Sequence, residues 1–491
     1  MASEPLAPLG IHERVQAPGV ILAVVLGLAV SLLTVYMPLA GIGASLAIGA
    51  SLLLSKQPKL LLLAFVISLA IPIQKTLGGI PLNAADAIIV VWCALWLFML
   101  QRQDGPRLGR IQVPFLIWAI LPFVVAVFLA QLGSTNPGSS IKQSLRVVEW
   151  FVVLPVLLMV FRPAEHFWRF IAMTLICVSS FFAIDGLVEA ATNGHTITGM
   201  LGIPVPGPTG DEPQIRHTFD VSGRAGSSFG GAQGLAMYLV MMMNIAIAHL
   251  LCSRTTYLRW LSLIGIGISI AGLIAADSRG GLLGGVGSLL AIGLVLRPGL
   301  WKPLLLIAIV ALVALPLGLG LWPSWDGTIT GLIPGRADAV NDRLIIWSVA
   351  RDVWFDNPLF GVGLGNFRDE FFTRGVTLNV ELGYQSLHAH NTYMEILVDT
   401  GLIGLLSYLS FIVVVLRQLL RRWRRGGQES ADIFALAAVG TLTAYCMFAM
   451  VDMLLLQNMH FTLVLLLTLG LTDSSSPALG LTARNVAEVK A

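Results

Sequence analysis

Charge is what this 491-residue chain has least of: Asp, Glu, Lys and Arg together make up 12% of it. A soluble domain carries roughly 25%, so the scarcity excludes an ordinary water-exposed globule. The formal net charge is only +3, which leaves no electrostatic case for a nucleic-acid partner. Cysteine is also scarce. Cys93, Cys177, Cys252 and Cys446 lie inside or at the edge of apolar runs, with no metal-type spacing and no pairing in loops. They read as small hydrophobes, which excludes a disulfide frame or a zinc site. No DxD pair is present to hold Mg²⁺ on a nucleotide sugar. Gly361-Val362-Gly363-Leu364-Gly365 is not a G-x-G-x-x-G fingerprint and has no strand-helix unit around it. It reads as tight turns in which glycine supplies positive φ. Internal repeats and low-complexity segments are absent.

What remains is apolar. The chain is 56% hydrophobic, its mean hydropathy is +0.83, and the excess comes in separate runs that approach the ~20 residues of a spanning helix. About fourteen such spans are expected, near residues 19–37, 39–54, 59–74, 86–101, 113–132, 145–161, 168–190, 228–251, 258–276, 280–297, 302–322, 392–416, 432–451 and 454–472. The polar stretch to about residue 17 and the long run after it suit a first spanning helix better than the alternative, a cleaved signal peptide. Arg417, Arg421, Arg422, Arg424 and Arg425 form the densest basic cluster, which places their loop in the cytoplasm. Alternating back from there, every short inside loop carries a basic residue, and Arg484 and Lys490 put the C-terminus inside. Two long loops, near 191–227 and 323–391, then lie outside, as does the short Asp277-Ser278-Arg279-Gly280-Gly281 turn. The first is rich in Gly and Pro and therefore irregular. Within the second, residues 341–357 set Leu344, Trp347, Val353 and Trp354 among Arg343, Arg351 and Asp352, a pattern that suits an interfacial helix.

Chemistry concentrates on the outside. His388-Ala389-His390-Asn391 stands at the mouth of a long apolar helix, and histidine is the side chain best suited to proton transfer near neutral pH. Asn391 or Thr392 can cap that helix. His390 then sits at the positive end of the helix dipole, which disfavours imidazolium and keeps the ring neutral, as a general base requires. Taken alone, such a histidine equally suits a plain hydrogen bond to a carbonyl. Glu395 and Asp399 lie one turn apart on the same helix and are costly to bury unpaired. They are expected to pair with an outside arginine or to share a proton. Arg224 precedes a span within Gly223-Arg224-Ala225-Gly226, and Arg279 lies between two spans beside Gly280. A lone outside arginine ordinarily snorkels to headgroups. Two beside glycine, near a histidine loop, instead suit a phosphate, whose oxygens the guanidinium fork meets in pairs.

These motifs together resemble the bacterial O-antigen ligase/polymerase superfamily from about residue 224 to 416. His390-Asn391, nine residues, then Gly401-x-x-Gly404 fits the family's H-[NSQ]-x9-G-x-x-[GTY] pattern. Arg224 resembles its first essential arginine and Ser278-Arg279-Gly280-Gly281 its second. Asp342-Arg343-x-x-x-Trp347, followed by Asn357-Pro358-Leu359-Phe360-Gly361-Val362-Gly363, resembles the run before the histidine. The resemblance implies an all-α polytopic membrane protein of 12–14 transmembrane helices, GT-C-like, with a large, partly helical periplasmic loop. It implies a metal-independent, cofactor-free glycosyltransferase on the periplasmic face of the bacterial inner membrane. Its partners would be an undecaprenyl diphosphate-linked glycan donor, a glycan or lipid-linked glycan acceptor, and membrane lipids. His390 would take the acceptor proton. Arg224, Arg279 and, third, Arg343 would meet the diphosphate, with Asn391 and Glu395 capping and supporting the helix. The roles of His388, Arg351, Arg368 and Arg374 stay open.

The expected layout is motif-free helices over 1–190, a catalytic region over 191–416, and a basic loop, two helices and a tail over 417–491. The high span count and long outer loop favour a polysaccharide polymerase. The absence of an arginine-x10-glycine spacing favours an O-antigen ligase. A secondary transporter is the alternative of another class, with Asp185, Glu189 and Asp452 as its candidate buried charges.

Overall fold

The computed structural model describes residues 59–69, 74–77, 80–83, most of 85–93, 115–160, 165–200, 225–229, 231–300, 302–303, 337–374, 387–425, 429–455, 462 and 464–469. The described residues are mainly helical. They comprise α1 (Lys59–Ser68), α2 (Phe115–Leu129), α3 (Pro137–Val148), α4 (Leu154–Val160), α5 (Glu165–Ala191), α6 (Ile197–Met200), α7 (Ala232–Cys252), α8 (Thr256–Ala276), α9 (Arg279–Leu296), α10 (Ala337–Asp356), α11 (Phe367–Thr373), α12 (Thr392–Arg425) and α13 (Glu429–Phe448). A short hairpin pairs β1 (Gln74–Leu77) with β2 (Ile80–Asn83), antiparallel, with Gln74 opposite Asn83.

Among the described residues, six helices are long and apolar enough to cross a membrane: Phe115–Gly133, Arg169–Ala191, Ala232–Cys252, Thr256–Ala276, Arg279–Leu296 and Thr392–Arg425. Each falls on an expected span, and Asp432–Phe448 is a shorter apolar helix on a seventh. The spans expected near 19–37, 39–54 and 302–322 lie largely or wholly outside the described residues.

The central helix is α7, packed by α5, α8, α9 and α13, and most of its side chains are buried. Backbone proximity explains the glycines of α9. A Cβ at Gly281 would press on Ala236, and one at Gly284 on the Phe448 ring, so small residues let α9 lie close between α7 and α13. The basic cluster Arg422, Arg424 and Arg425 ends α12. His388, His390 and Asn391 precede its start, about 50 Å away at 1.5 Å per residue. The up-and-down run of α7, α8 and α9 brings Ala225–Phe229 and Asp277–Arg279 to the histidine end, and the basic residues that close α12 lie at the other.

The outer loop is a small body with its own core. Ile346, Val349, Ala350 and Val353 of α10 pack on Val362, Phe367, Phe371, Leu387, Ala389 and Val398. The amphipathic face expected for an interface is therefore turned onto the loop itself, and Leu344 is left exposed.

Candidate functional site

The site begins at a break in α12. Gly401 has φ +67° and ψ −171° inside the helix. Four backbone groups lose their helical partners there, and the outer loop replaces each of them. Leu402 N–H donates to Pro358 O at 2.9 Å and Ile403 N–H to Leu359 O at 3.4 Å. Val398 O accepts from Val362 N–H at 3.1 Å and Asp399 O from Gly363 N–H at 2.9 Å. A Cβ at Gly401 would overlap the Leu359 carbonyl. Gly361, Gly363 and Gly365 all have positive φ, so the expected tight turns are what lets this loop follow the break.

Two carboxylates complete the joint. Asp399 accepts from Gly365 N–H at 2.7 Å and Phe367 N–H at 3.0 Å, and Glu395 accepts from Ala389 N–H at 2.6 Å. The hydrogen bonds of Glu395 and Asp399 thus come from backbone amides of the loop and the histidine segment, in place of the expected outside arginine or shared proton. On the other side, Trp347 Nε1–H donates to Ala389 O at 2.7 Å. Ala389 is therefore gripped on both peptide groups, which sets the histidines on either side of it.

Asn391 is the cap of α12. Its Oδ1 accepts from Tyr393 N–H at 3.0 Å and Met394 N–H at 3.1 Å. Thr392 instead ties the helix start to the turn after α13, donating from Oγ1 to Asp452 O at 2.7 Å and accepting from Leu454 N–H at 2.9 Å. That turn delivers Asp452. His388 Nε2 lies 3.1 Å from Asp452 Oδ1, and a carboxylate only accepts, so the bond puts the His388 proton on Nε2. The His388 and His390 rings stand 4.0 Å apart between centroids. His390 Nδ1 is 3.9 Å from the same Asp452 oxygen, beyond a hydrogen bond, and its side chain keeps 24% exposure. A substrate can therefore reach it.

Burial first, then the neighbouring His388, lowers the His390 pKa to about 3; Asp452 opposes this and Arg343 adds to it. The ring is neutral at physiological pH, and desolvation and adjacent cations are the named causes. Burial pushes the Asp452 carboxyl up, but the His388 bond and the two histidines outweigh it and hold it below its ordinary value. His388, His390 and Asp452 each offer one ligand atom, all within 4.8 Å of one another, so a divalent cation is the other occupant this spacing admits.

The cations sort by partner. Arg146 is buried on Asp86 at 3.0 Å and over the Trp150 ring. Arg351 pairs with Asp352 and Arg374 with Asp356. Arg279 and Arg343 have no carboxylate partner among the described residues. Arg279 is exposed at the first position of α9, whose cap is Ser278 Oγ accepting from Gly281 N–H at 3.1 Å. Helix N-termini favour anions there. A Cβ at the next residue, Gly280, would touch Phe448 and Val451, at the turn that carries Asp452. Arg343 lies one turn before Trp347 on α10 and is close enough to act on His390. Arg224 lies outside the described residues; its neighbour Ala225 donates to Ala275 O at 3.2 Å, four residues before Arg279.

Asp452 is the residue of this cluster that the sequence motifs missed. Its signal was only an acidic residue in an outside turn, 62 positions from His390 and outside every motif. Asp185 and Glu189, the other transporter candidates, accept from Thr198, Gly226 and Ser227 at the outer end of α5. The three carboxylates thus hold backbone amides, hydroxyls or histidine at one end of the bundle.

A helical membrane protein with a neutral histidine, a supporting His–Asp pair and unpaired cations at one end is the class this geometry defines. Residues 264–409 match the family model described as O-antigen ligase, and over that stretch the chain is similar to the O-antigen ligase/polymerase-like superfamily. The match contains Arg279, Arg343, His390, Gly401 and Gly404, and it stops short of Arg224 and Asp452. No curated protein gives a significant match to the chain.

Proposed function

We propose that the chain is an inner-membrane glycosyltransferase that moves a glycan from undecaprenyl diphosphate to an acceptor sugar hydroxyl at the periplasmic face. The fourteen-span, GT-C-like architecture belongs to this proposal. The observation that carries it is His390, neutral, partly exposed and braced by His388–Asp452, at the bundle end where Arg279 starts α9 with no acidic partner among the described residues.

The step balances without a metal or nucleotide. The acceptor oxygen forms a bond to the anomeric carbon as the carbon–oxygen bond to the diphosphate breaks. The diphosphate leaves with that electron pair, and Arg279, Arg343 and Arg224 offset its charge. The acceptor proton passes to His390. Direct displacement inverts the anomeric centre. A bound diphosphate also raises the proton affinity of His390, because a nearby anion favours imidazolium. The base is thus strongest when the donor is in place.

The expected number of spans and the long outer loop favour polymerisation over ligation to lipid A-core. Glycans extracted from a deletion strain test this. Single lipid-linked repeats are the expected result, whereas full-length unattached chains mean a ligase. Unchanged glycans would contradict both.

A further inference from the structure

The outer end of α5 carries two carboxylates that the proposed reaction does not use. Asp185 and Glu189 are both 0% exposed. They lie four residues apart, on one face of the helix. Asp185 Oδ1 accepts from Thr198 N–H at 3.0 Å, and Oδ2 accepts from Thr198 Oγ1 at 2.9 Å and from Ser227 Oγ. Glu189 Oε2 accepts from Gly226 N–H at 2.8 Å and from Ser227 N–H at 2.7 Å.

Ser227 receives unusual treatment. Its φ is +49°, a conformation uncommon for a residue with a Cβ. Its amide and its hydroxyl are held by different carboxylates. Two buried acids are a poor choice for stability alone, since well-packed apolar residues do as well or better. They do specify one position for the backbone they hold. That backbone leads directly to the donor side of the site: Ala225, two residues before Ser227, donates to Ala275 O, and Ala275 lies in the last turn of α8, four residues before Arg279.

The same device appears on α12, where Glu395 and Asp399, also four apart, take amides of Ala389, Gly365 and Phe367. That pair fixes the histidine segment through Glu395 and the loop before it through Asp399.

We infer that the other pair, Asp185 and Glu189, are positioning residues for the diphosphate side: through Gly226 and Ser227 they set the turn that joins the outer end of α5 to the Ala275–Arg279 corner. The inference rests on the proposed function. It requires that their loss weaken recognition of the diphosphate while leaving the proton transfer at His390 intact.

The test uses the purified full-length protein with undecaprenyl diphosphate as probe and undecaprenol, which lacks the phosphates, as control. Glu189→Gln should weaken undecaprenyl diphosphate binding about tenfold, the loss expected of a charge-assisted hydrogen bond. Undecaprenol binding should be unchanged. In the transfer assay, donor KM should rise with kcat within about twofold, and the acid limb of the pH profile should not move. Ser227→Gly suits the positive φ, keeps the amide and removes the hydroxymethyl group that bonds Asp185, so it serves as the second variant if Glu189→Gln does not fold; about threefold weaker binding is expected. A folded Glu189→Gln or Ser227→Gly protein with unchanged affinity for undecaprenyl diphosphate, or equal losses for both lipids, overturns the inference. Wild-type protein that does not bind undecaprenyl diphosphate in preference to undecaprenol would instead sink the proposed function.

Discussion

At the residue scale the account turns on His390 and what surrounds it. The folded pKa of about 3 lies below the ordinary 6.5, so the ring contributes stability that is complete above about pH 6.5. That contribution is lost as pH falls towards 3. For catalysis, kcat/KM, which reports the free enzyme, should stay flat from pH 8 to below 6. The acid limb of kcat should lie higher, because the bound diphosphate raises the base. A kcat/KM limb centred at 6.5 would show an unperturbed histidine and contradict the burial argument. Asp452→Asn removes the charge that fixes His388 and opposes the acidity of His390. It should lower kcat about 10- to 100-fold with donor KM little changed, checked by steady-state kinetics. Arg279→Lys keeps charge but loses the fork. A donor KM at least about tenfold higher is expected, and near-normal kinetics would mean Arg279 only snorkels.

At the element scale the outer loop and α12 act as one piece. The expected helix start near 392 and its Asn391 cap were legible because capping chemistry is local. The glycine spacing Gly401-x-x-Gly404 was legible as a pattern, but its reason was not. The four exchanged hydrogen bonds join residues 358–363 to 398–403, and no local periodicity records a pairing across that separation. The same holds for Glu395 and Asp399, recognised as costly carboxylates whose amide partners only the fold supplies. The helix over 341–357 was found from its apolar spacing, yet its apolar face covers the loop core, since periodicity reports a buried face and not what buries it. Gly401→Ala places a Cβ into the Leu359 carbonyl at positive φ. It should cost about 2–4 kcal/mol, read as a lower thermal midpoint in detergent. An unchanged midpoint would mean the loop is not bound to the break.

At the scale of the whole molecule, the sequence-derived orientation and the structure agree on which ends of the helices meet. Residues from four stretches, 185–189, 225–229, 277–279 and 388–391, collect at one end, and the turn holding Asp452 closes the group. The arginines and His390 could be ranked from the sequence because basic residues expected on the outer side run against the positive-inside bias and stand beside a histidine loop. Asp452 could not, since its role exists only when the turn after α13 reaches the start of α12. The spacing of His388, His390 and Asp452 also admits a metal, so the central claim is that His390 serves as a base rather than a ligand. Glycan transfer by the purified protein from an undecaprenyl diphosphate-linked donor, run in excess EDTA with wild type and His390→Ala, tests it directly. The account predicts full turnover with release of undecaprenyl diphosphate for wild type, and loss of at least about a thousandfold for the folded variant. Loss of wild-type activity in EDTA, restored by a divalent cation, or undiminished transfer by His390→Ala, would contradict it.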